Sequence, residues 1–169
     1  MSSTSWRDSL KQTQKSLSQS REHLARVAVV GIGNEMRGDD AAGVVIARTL
    51  KRRLAHKENI LVIEGEHAPE NHTGPLRRFA PDLVILVDTA QMQQPPGTVR
   101  WLVWQETSGL SASTHTMPPY MLARYLSAEL GCEVALIGIQ PAQLTISEAV
   151  SAPVQKAVIE IVALLSAAL

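Results

Sequence analysis

The 169-residue sequence has little of several features that mark particular classes of protein. It has one cysteine, Cys132, which excludes an intrachain disulfide framework and a zinc site built from cysteines. No apolar run reaches the roughly 18 residues that a membrane-spanning helix requires. Sixteen Lys and Arg residues balance sixteen Asp and Glu residues, so no net charge attracts nucleic acid or anionic membranes. We therefore expect a cytoplasmic monomer that has no membrane span and binds no nucleic acid.

Several catalytic and ligand-binding signatures are also missing. The sequence contains neither Gly-x-Ser-x-Gly nor His-Glu-x-x-His, so it shows no serine-hydrolase elbow and no ordinary zinc-protease motif. Gly31 and Gly33 follow an apolar run, but the dinucleotide fingerprint needs a third glycine at the position of Met36. A nucleotide-binding module is therefore a disfavoured alternative.

Apolar segments alternate with amphipathic ones along most of the chain, which predicts an α/β fold. Continuous apolar runs at 26–33, 82–88 and 133–139 are typical of strands buried on both faces, and shorter strands are predicted at 59–63 and 98–104. Helices are predicted at 39–54, 71–79, 118–130 and 153–169. The pattern favours a three-layer sandwich with helices on both faces of a mostly parallel sheet.

The N-terminal residues differ in pattern from the rest. Trp6, Leu10, Leu17 and Leu24 are spaced by four and seven residues, which places them on one helical stripe. We predict that residues 1–25 are an amphipathic helical extension, with its helix over about 6–24 lying on a single α/β domain of residues 26–169. A mobile tail and a targeting segment are the alternatives.

Polar residues follow the predicted strands at the points where each strand ends. Asp39 and Asp40 come after the first strand, Asp88 ends the third, and His115 lies in a later loop. Because α/β sheets bind ligands outside the carboxyl ends of their strands, these side chains are expected to converge. Carboxylates with an imidazole suit a borderline divalent metal ion.

Each of these residues also has an ordinary structural interpretation. Asp39 or Asp40 could cap the helix that follows, and Asp88 could accept hydrogen bonds from loop amides. A competing metal cluster could form after the second strand from His67, Glu70 and His72. The residues alone leave these alternatives open.

A set of sequence blocks resembles the nickel–iron hydrogenase maturation endopeptidases, in particular the branch that serves hydrogenase 3 and other membrane-associated, hydrogen-evolving hydrogenases. The blocks occur in the same order as in that branch. They are Gly31-Ile32-Gly33-Asn34 with Asp39-Asp40 and Gly43; Val62-Ile63-Glu64-Gly65 with Ala68-Pro69-Glu70-Asn71; Leu86-Val87-Asp88 with Pro96-Gly97; Thr114-His115 with Met117-Pro118; and Gly138-Ile139-Gln140-Pro141.

The resemblance implies a function, a partner and a site. Members of this family remove a C-terminal extension from the precursor of the hydrogenase large subunit after nickel has been inserted. Asp40, Asp88 and His115 would be the catalytic residues and the ligands of that nickel, which arrives with the precursor; an adventitious divalent ion could also bind. The supporting residues would be Gly31, Gly33, Asn34, Asp39 and Glu70.

The resemblance also implies a twisted, mostly parallel five-stranded sheet between helical layers, of the phosphorylase/hydrolase-like kind. The alternative function is a non-catalytic, nickel-dependent maturation chaperone or adaptor on the same fold. One departure stands out: Glu66 and His67 replace a glycine and a small hydroxyl residue of this branch. They would add a potential ligand or a bulkier rim to the site.

Overall fold

A computed structural model describes residues 5–20, 22–107, 117–146 and 149–169. Within these ranges five strands form one sheet: β1 Val27–Ile32, β2 Ile60–Glu66, β3 Leu83–Thr89, β4 Val99–Leu102 and β5 Glu133–Ile139. Their order across the sheet is β2-β1-β3-β5-β4. Neighbouring strands are parallel except β4, which runs antiparallel to β5 at the edge. The predicted mostly parallel five-stranded sheet is confirmed.

Helices cover both faces of this sheet. The described helices are α1 Trp6–Ser20, α2 Ala42–Arg53, α3 Thr73–Phe79, α4 Pro119–Leu130 and α5 Ala152–Ala168. Residues of α1, α2 and α5 share one buried cluster with one face of the sheet, while α3 and α4 contribute to the cluster on the other face. The three-layer arrangement predicted from the sequence is confirmed.

The central strand β3 shows why the apolar runs were informative. All seven of its residues are buried. Ile85 and Val87 belong to the cluster on the α2 and α5 side, and Val84 and Leu86 belong to the opposite cluster. A strand with helices on both faces needs no polar alternation, so its sequence is continuously apolar up to Asp88.

Helix α1 packs against the sheet through three side chains of the predicted stripe. Trp6, Leu10 and Leu17 are each less than a tenth exposed and belong to the cluster that contains α5. Arg7 forms an ion pair with Glu160 of α5 at 2.8 Å. The helix ends at Ser20, and Leu24 is 74% exposed, so its predicted place on the stripe is wrong. The division of the chain at residue 25 stays a prediction.

Close packing of α2 against β1 places the start of this helix at the carboxyl edge of the sheet. A Cβ on Gly31 would lie well under 3.0 Å from the carbonyl oxygen of Gly43. A Cβ on Gly43 would in turn meet the carbonyl oxygens of Ile32 and Val87. Only glycine at both positions lets the helix approach this closely. The turn that carries Asp39 and Asp40 is thereby held above the ends of β1 and β3.

In the ranges that the structure describes, every helix is too short or too polar to cross a membrane.

Candidate active site

Asp40 and Asp88 come together at the carboxyl edge of the sheet, although 47 other residues separate them in sequence. Asp88 is the penultimate residue of β3, and Asp40 lies in the short 3-10 turn Gly38–Ala41 that leads into α2. Each residue is only 2% exposed. The predicted convergence of these two carboxylates at the carboxyl ends of β1 and β3 agrees with this geometry.

Thr89 connects the two carboxylates. Its hydroxyl donates a hydrogen bond to Oδ1 of Asp40 at 3.0 Å, and its backbone N–H donates to Oδ1 of Asp88 at 2.8 Å. Sequence reasoning did not identify Thr89. The available signal was a hydroxyl residue directly after an acidic residue at the end of an apolar strand.

Asp39 points away from this pair and stabilises another loop. Its carboxylate accepts hydrogen bonds from the N–H groups of Ala142, Gln143 and Ser151 at 2.7, 3.1 and 2.7 Å, and from the Ser151 hydroxyl at 2.9 Å. Ser151 is the N-cap of α5, so Asp39 connects the turn before α2 to the loop after β5 and to the start of α5. The N-cap of α2 is Ala41, so neither Asp39 nor Asp40 is the capping residue of that helix.

Gly33 and Asn34 fix the backbone of Asp40. Gly33 has φ +148°, and a Cβ there would collide with the Asp40 carbonyl oxygen. That same oxygen accepts a hydrogen bond from the Asn34 N–H at 3.1 Å. The Asn34 side chain accepts one from the Met36 N–H at 2.9 Å, which closes the loop on itself. These residues therefore act on Asp40 through its backbone, and Gly31 acts through the packing of α2.

His115 lies in the segment 108–116, outside the described residues, so its predicted place in the site stays a prediction. Among the residues that are described, no three His, Cys, Asp or Glu side chains are arranged to hold a metal ion. His67, Glu70 and His72 are all in this described part, so the competing cluster is not assembled as a metal site.

Glu70 carries a buried oxygen without a partner. It lies in the 3-10 turn Pro69–His72 that follows β2, and its Oε2 is inaccessible to solvent and accepts no hydrogen bond from the described residues. Buried carboxylate oxygens are nearly always paired, so an unpaired one at the edge of a site is a candidate for contact with substrate. Its predicted supporting role is untested by this geometry.

Gln140 holds the loop that follows Asp88 and Thr89. It is buried, and its Oε1 accepts a hydrogen bond from the Met92 N–H at 2.7 Å. Its Nε2 donates to Oε1 of Gln91 at 2.9 Å. The end of β5 thereby fixes the chain immediately after β3.

Cys132 supplies no nucleophile to the site. It is 5% exposed and precedes β5, at the sheet edge opposite to Asp40 and Asp88. Burial raises the pKa of its thiol, and the nearby Asp82 acts in the same direction. The expectation that this residue packs as a small hydrophobic side chain is confirmed.

Comparison with known proteins decides the family. Residues 44–168 match the family model described as hydrogenase maturation protease, HycI. The chain belongs to the hydrogenase maturation protease family. The matched region contains Asp88 and His115, while Asp40 lies just before it. The enzyme class that follows is a hydrolase, an endopeptidase of the maturation type.

Individual members of the family support the assignment. The hydrogenase 3 maturation protease of Escherichia coli K12 is 37% identical over 111 residues, which cover 65% of this chain and 69% of that protein. A putative hydrogenase maturation protease of Methanocaldococcus jannaschii is 29% identical over 126 residues, or 71% of this chain and 75% of the relative. The crystal structure of the maturation protease HycI from Thermococcus kodakarensis is 31% identical and superimposes with a TM-score of 0.77, covering 85% of this chain and 92% of the other.

Proposed function

We propose that this maturation protease removes the C-terminal extension of a nickel–iron hydrogenase large-subunit precursor and recognises the nickel in that precursor through Asp40, Asp88 and His115. The observation that carries the proposal is the pair of buried carboxylates joined by Thr89 at the carboxyl edge of the sheet. The similarity to a hydrogenase 3 maturation protease supports the choice of substrate.

The chemistry of the pair favours a cationic partner. Two buried carboxylates close to one another repel, and each loses solvation that a metal ion can replace. Thr89 donates a hydrogen bond to one oxygen of each carboxylate and thereby fixes both side chains in orientation at this edge of the sheet. Oxygen ligands with one imidazole suit nickel in its divalent state.

In this proposal the protein has no resident metal, and nickel is part of the substrate. The side chains fill open positions on the nickel and thereby hold the peptide bond to be cut above the ends of β1 and β3. Either the metal polarises the carbonyl group and activates water, or it serves as a docking check while a carboxylate acts as general base. Both routes require the charge of Asp88.

Asp88→Asn is the variant that tests the proposal. The amide oxygen can keep the hydrogen bond from the Thr89 N–H, so the fold should change little, while the negative charge is removed. We expect cleavage of the nickel-loaded precursor, followed as loss of mass, to fall by about 100-fold or more. Circular dichroism checks folding, and nickel-free precursor shows whether the metal is needed.

His72→Ala is the matched control, because it removes a histidine of the competing cluster, which is not assembled as a metal site among the described residues. It should cleave at the wild-type rate. Cleavage by Asp88→Asn at the wild-type rate would overturn the proposed role of that carboxylate. If nickel-loaded and nickel-free precursor were cut at the same rate, the proposal that the enzyme recognises nickel would be contradicted. Binding of the precursor without any loss of mass would favour the chaperone or adaptor.

A further inference from the structure

The connection between β3 and β4 crosses over the end of another strand. Strand β5 lies between β3 and β4 in the sheet, and β4 runs antiparallel to it. The chain therefore leaves β3 after Thr89 and enters β4 at Val99 on the same edge of the sheet, so residues 90–98 pass over the carboxyl end of β5. We refer to residues 90–98 as the crossing loop. Gln140 is the first residue after β5 and lies where the loop crosses.

The backbone of Gln140 binds the far end of the crossing loop. Its N–H donates a hydrogen bond to the carbonyl oxygen of Thr98 at 2.9 Å, and its carbonyl oxygen accepts one from the Gly97 N–H at 2.8 Å. Gly97 has φ +81°, and a Cβ there would lie 2.5 Å from the carbonyl oxygen of Pro153 in α5. This end of the loop is thereby held between β5 and α5.

The side chain of Gln140 binds the near end of the same loop. Its Oε1 accepts hydrogen bonds from the N–H groups of Met92 and Gln94 at 2.7 and 3.3 Å. Its Nε2 donates to Oε1 of Gln91 at 2.9 Å and to the carbonyl oxygen of Pro141 at 3.2 Å. A carboxamide combines an acceptor and two donors without a charge, and a charge would be costly in a side chain that is only 5% exposed.

The near end of the loop continues directly from the candidate active site. Thr89, which donates hydrogen bonds to both carboxylates of the site, is the last residue of β3. The next residue, Ala90, donates its N–H to the carbonyl oxygen of Ile139 at 2.9 Å. Gln140 then binds the following two residues that have a free N–H or side-chain oxygen, Gln91 and Met92. The pairing of β3 with β5 is therefore continued past Thr89 by the Gln140 side chain.

Packing brings the crossing loop onto the strand beside Asp88. Gly138 of β5 is the register partner of Asp88. A Cβ on Gly138 would lie 3.2 Å from the Cβ of Ala90 and 3.3 Å from Sδ of Met92. The loop thus covers the neighbour of Asp88 with no space to spare, and a shift of the loop would be transmitted to the end of β3.

We propose that Gln140 is a positioning residue for the reaction. By binding the crossing loop at the point where β3 ends, it holds Thr89 in the place from which this residue donates to Asp40 and Asp88. Gln140 acts through Thr89 and has no contact with substrate. The inference rests on the proposed function for the identity of the reaction, and on the crossing loop for the geometry.

Gln140→Met is the first test, because methionine has nearly the same length and makes none of the four side-chain hydrogen bonds. We expect kcat for the nickel-loaded precursor to fall by about tenfold, since a small misplacement of catalytic groups is costly, while KM changes by less than about twofold. Gln140→Glu keeps an oxygen for the N–H groups of Met92 and Gln94, and the exposed Gln91 can turn its amide to donate. Its kcat should return to within about threefold of wild type.

Gln14→Met is the matched control. Gln14 lies in α1, and its Nε2 donates to the carbonyl oxygen of Ala168 near the amino edge of the sheet. This substitution removes the same chemical group from a partly buried position and should leave both kcat and KM unchanged. Circular dichroism checks that all three variants are folded at the temperature of the assay.

The second test does not depend on cleavage. Amide hydrogen exchange of the isotopically labelled enzyme is followed by NMR in wild type and Gln140→Met. The N–H groups of Thr89 and Ala90 have no hydrogen bond with the Gln140 side chain, but the proposal requires that they open with the loop. Their exchange should accelerate at least about tenfold more than that of Val84 and Ile85 in the middle of β3.

The outcomes separate this inference from the proposed function. If wild type does not cut the precursor, the proposed function fails, and hydrogen exchange still decides whether Gln140 positions Thr89. An equal acceleration along the whole of β3 would show that Gln140 only stabilises the fold, and the inference would be overturned. It would also be overturned if wild type cuts and Gln140→Met keeps the wild-type kcat, or if the substitution raises KM instead, since the loop would then act by binding substrate.

Discussion

Asp39 and Asp40 are adjacent carboxylates, both buried, with different partners. Asp39 accepts four hydrogen bonds from Ala142, Gln143 and Ser151, which use both of its oxygens. Asp40 faces Thr89 and Asp88 at the sheet edge. The first carboxylate therefore stabilises the fold, and the second lies at the carboxyl edge of the sheet, where we propose that it meets the substrate.

Replacing each by asparagine should separate the two roles. In Asp39→Asn an amide group replaces one acceptor and faces N–H donors, so we expect the free energy of unfolding to fall by about 2–4 kcal/mol. Asp40→Asn can keep an acceptor for the Thr89 hydroxyl and should lose less than about 1 kcal/mol, while cleavage of precursor is abolished. Urea denaturation and the cleavage assay measure these two effects.

Activity must be compared per folded molecule at a low temperature, where Asp39→Asn is still folded. Under these conditions Asp39→Asn should cut the precursor at a rate near that of wild type. A stable Asp39→Asn without activity would show instead that this carboxylate takes part in the reaction.

The sequence could identify these acids but not assign their roles. Asp88 was a strong candidate because it follows a fully apolar strand, and its placement agrees with that reasoning. From the residue pattern alone Asp39 and Asp40 could not be told apart, because the groups that bind Asp39 lie over 100 residues further along the chain; only the family resemblance assigned Asp40 to the site and Asp39 to a supporting role. Thr89 was missed for the same reason: its hydroxyl meets Asp40 only in three dimensions.

The unit formed by β1, its following loop and α2 determines the position of Asp40. Gly31 and Gly43 allow the close contact between strand and helix, and Gly33 turns the chain beneath the Asp40 carbonyl. The loop has so little space that a single methyl group would displace it. We therefore expect a substitution at Gly33 to affect both stability and activity.

Gly33→Ala should lower both the free energy of unfolding and the rate of precursor cleavage. Its φ of +148° is unfavourable for alanine, and the new Cβ would collide with the Asp40 carbonyl oxygen. We expect a loss of about 2–4 kcal/mol in the free energy of unfolding and a fall in cleavage per folded molecule. Thermal denaturation and the precursor assay check the two effects.

Gly131→Ala is the matched control for this substitution. Gly131 also has positive φ, at +63°, but a Cβ there meets nothing within 4 Å. It should cost about 1 kcal/mol from backbone strain alone and leave cleavage unchanged. If Gly33→Ala has the same small effect on stability as Gly131→Ala and leaves cleavage unchanged, the close contact with Asp40 is not needed for activity.

At the scale of elements, prediction succeeded where the local signal was strong. Long apolar runs predicted β1, β3 and β5. The helix predicted at 118–130 is α4, which begins one residue later because Pro118 is its N-cap, and Gly131 is its C-cap. The sequence could not predict that β4 runs antiparallel to β5. The composition of a short, half-buried strand is compatible with either parallel or antiparallel pairing. The predicted strand at 98–104 also ends early, because Trp104 starts a 3-10 turn.

For the molecule as a whole, α1 extends the core on the face that carries α2 and α5. The second half of α1 shares a cavity with Val27, Asn59 and Ile60 at the amino ends of β1 and β2, whereas Asp40 and Asp88 lie at the carboxyl edge. The helix is therefore expected to contribute to stability without affecting the reaction.

Leu17→Ala tests this expectation. Leu17 is 2% exposed, so its truncation leaves a cavity and should lower the free energy of unfolding by about 2–4 kcal/mol. Leu24→Ala, at a position 74% exposed, should change it by less than about 0.5 kcal/mol. Both variants should cut precursor at the wild-type rate when folded. If folded Leu17→Ala cut the precursor more slowly than wild type, α1 would affect the reaction at the site.

The four hydrogen bonds of Asp39 have a consequence for how this chain can vary in length. The Asp39 carboxylate accepts hydrogen bonds from the N–H groups of residues 142, 143 and 151. Both ends of the segment between residues 143 and 151 are therefore held in place, whatever residues the segment contains. The entropy of closing a loop grows only slowly with the number of residues. Extra residues inserted after Ile146, which is 86% exposed, are therefore expected to leave Asp40 and Asp88 in place. This segment is the natural position for a purification tag or for the evolutionary gain of a substrate-specific insertion.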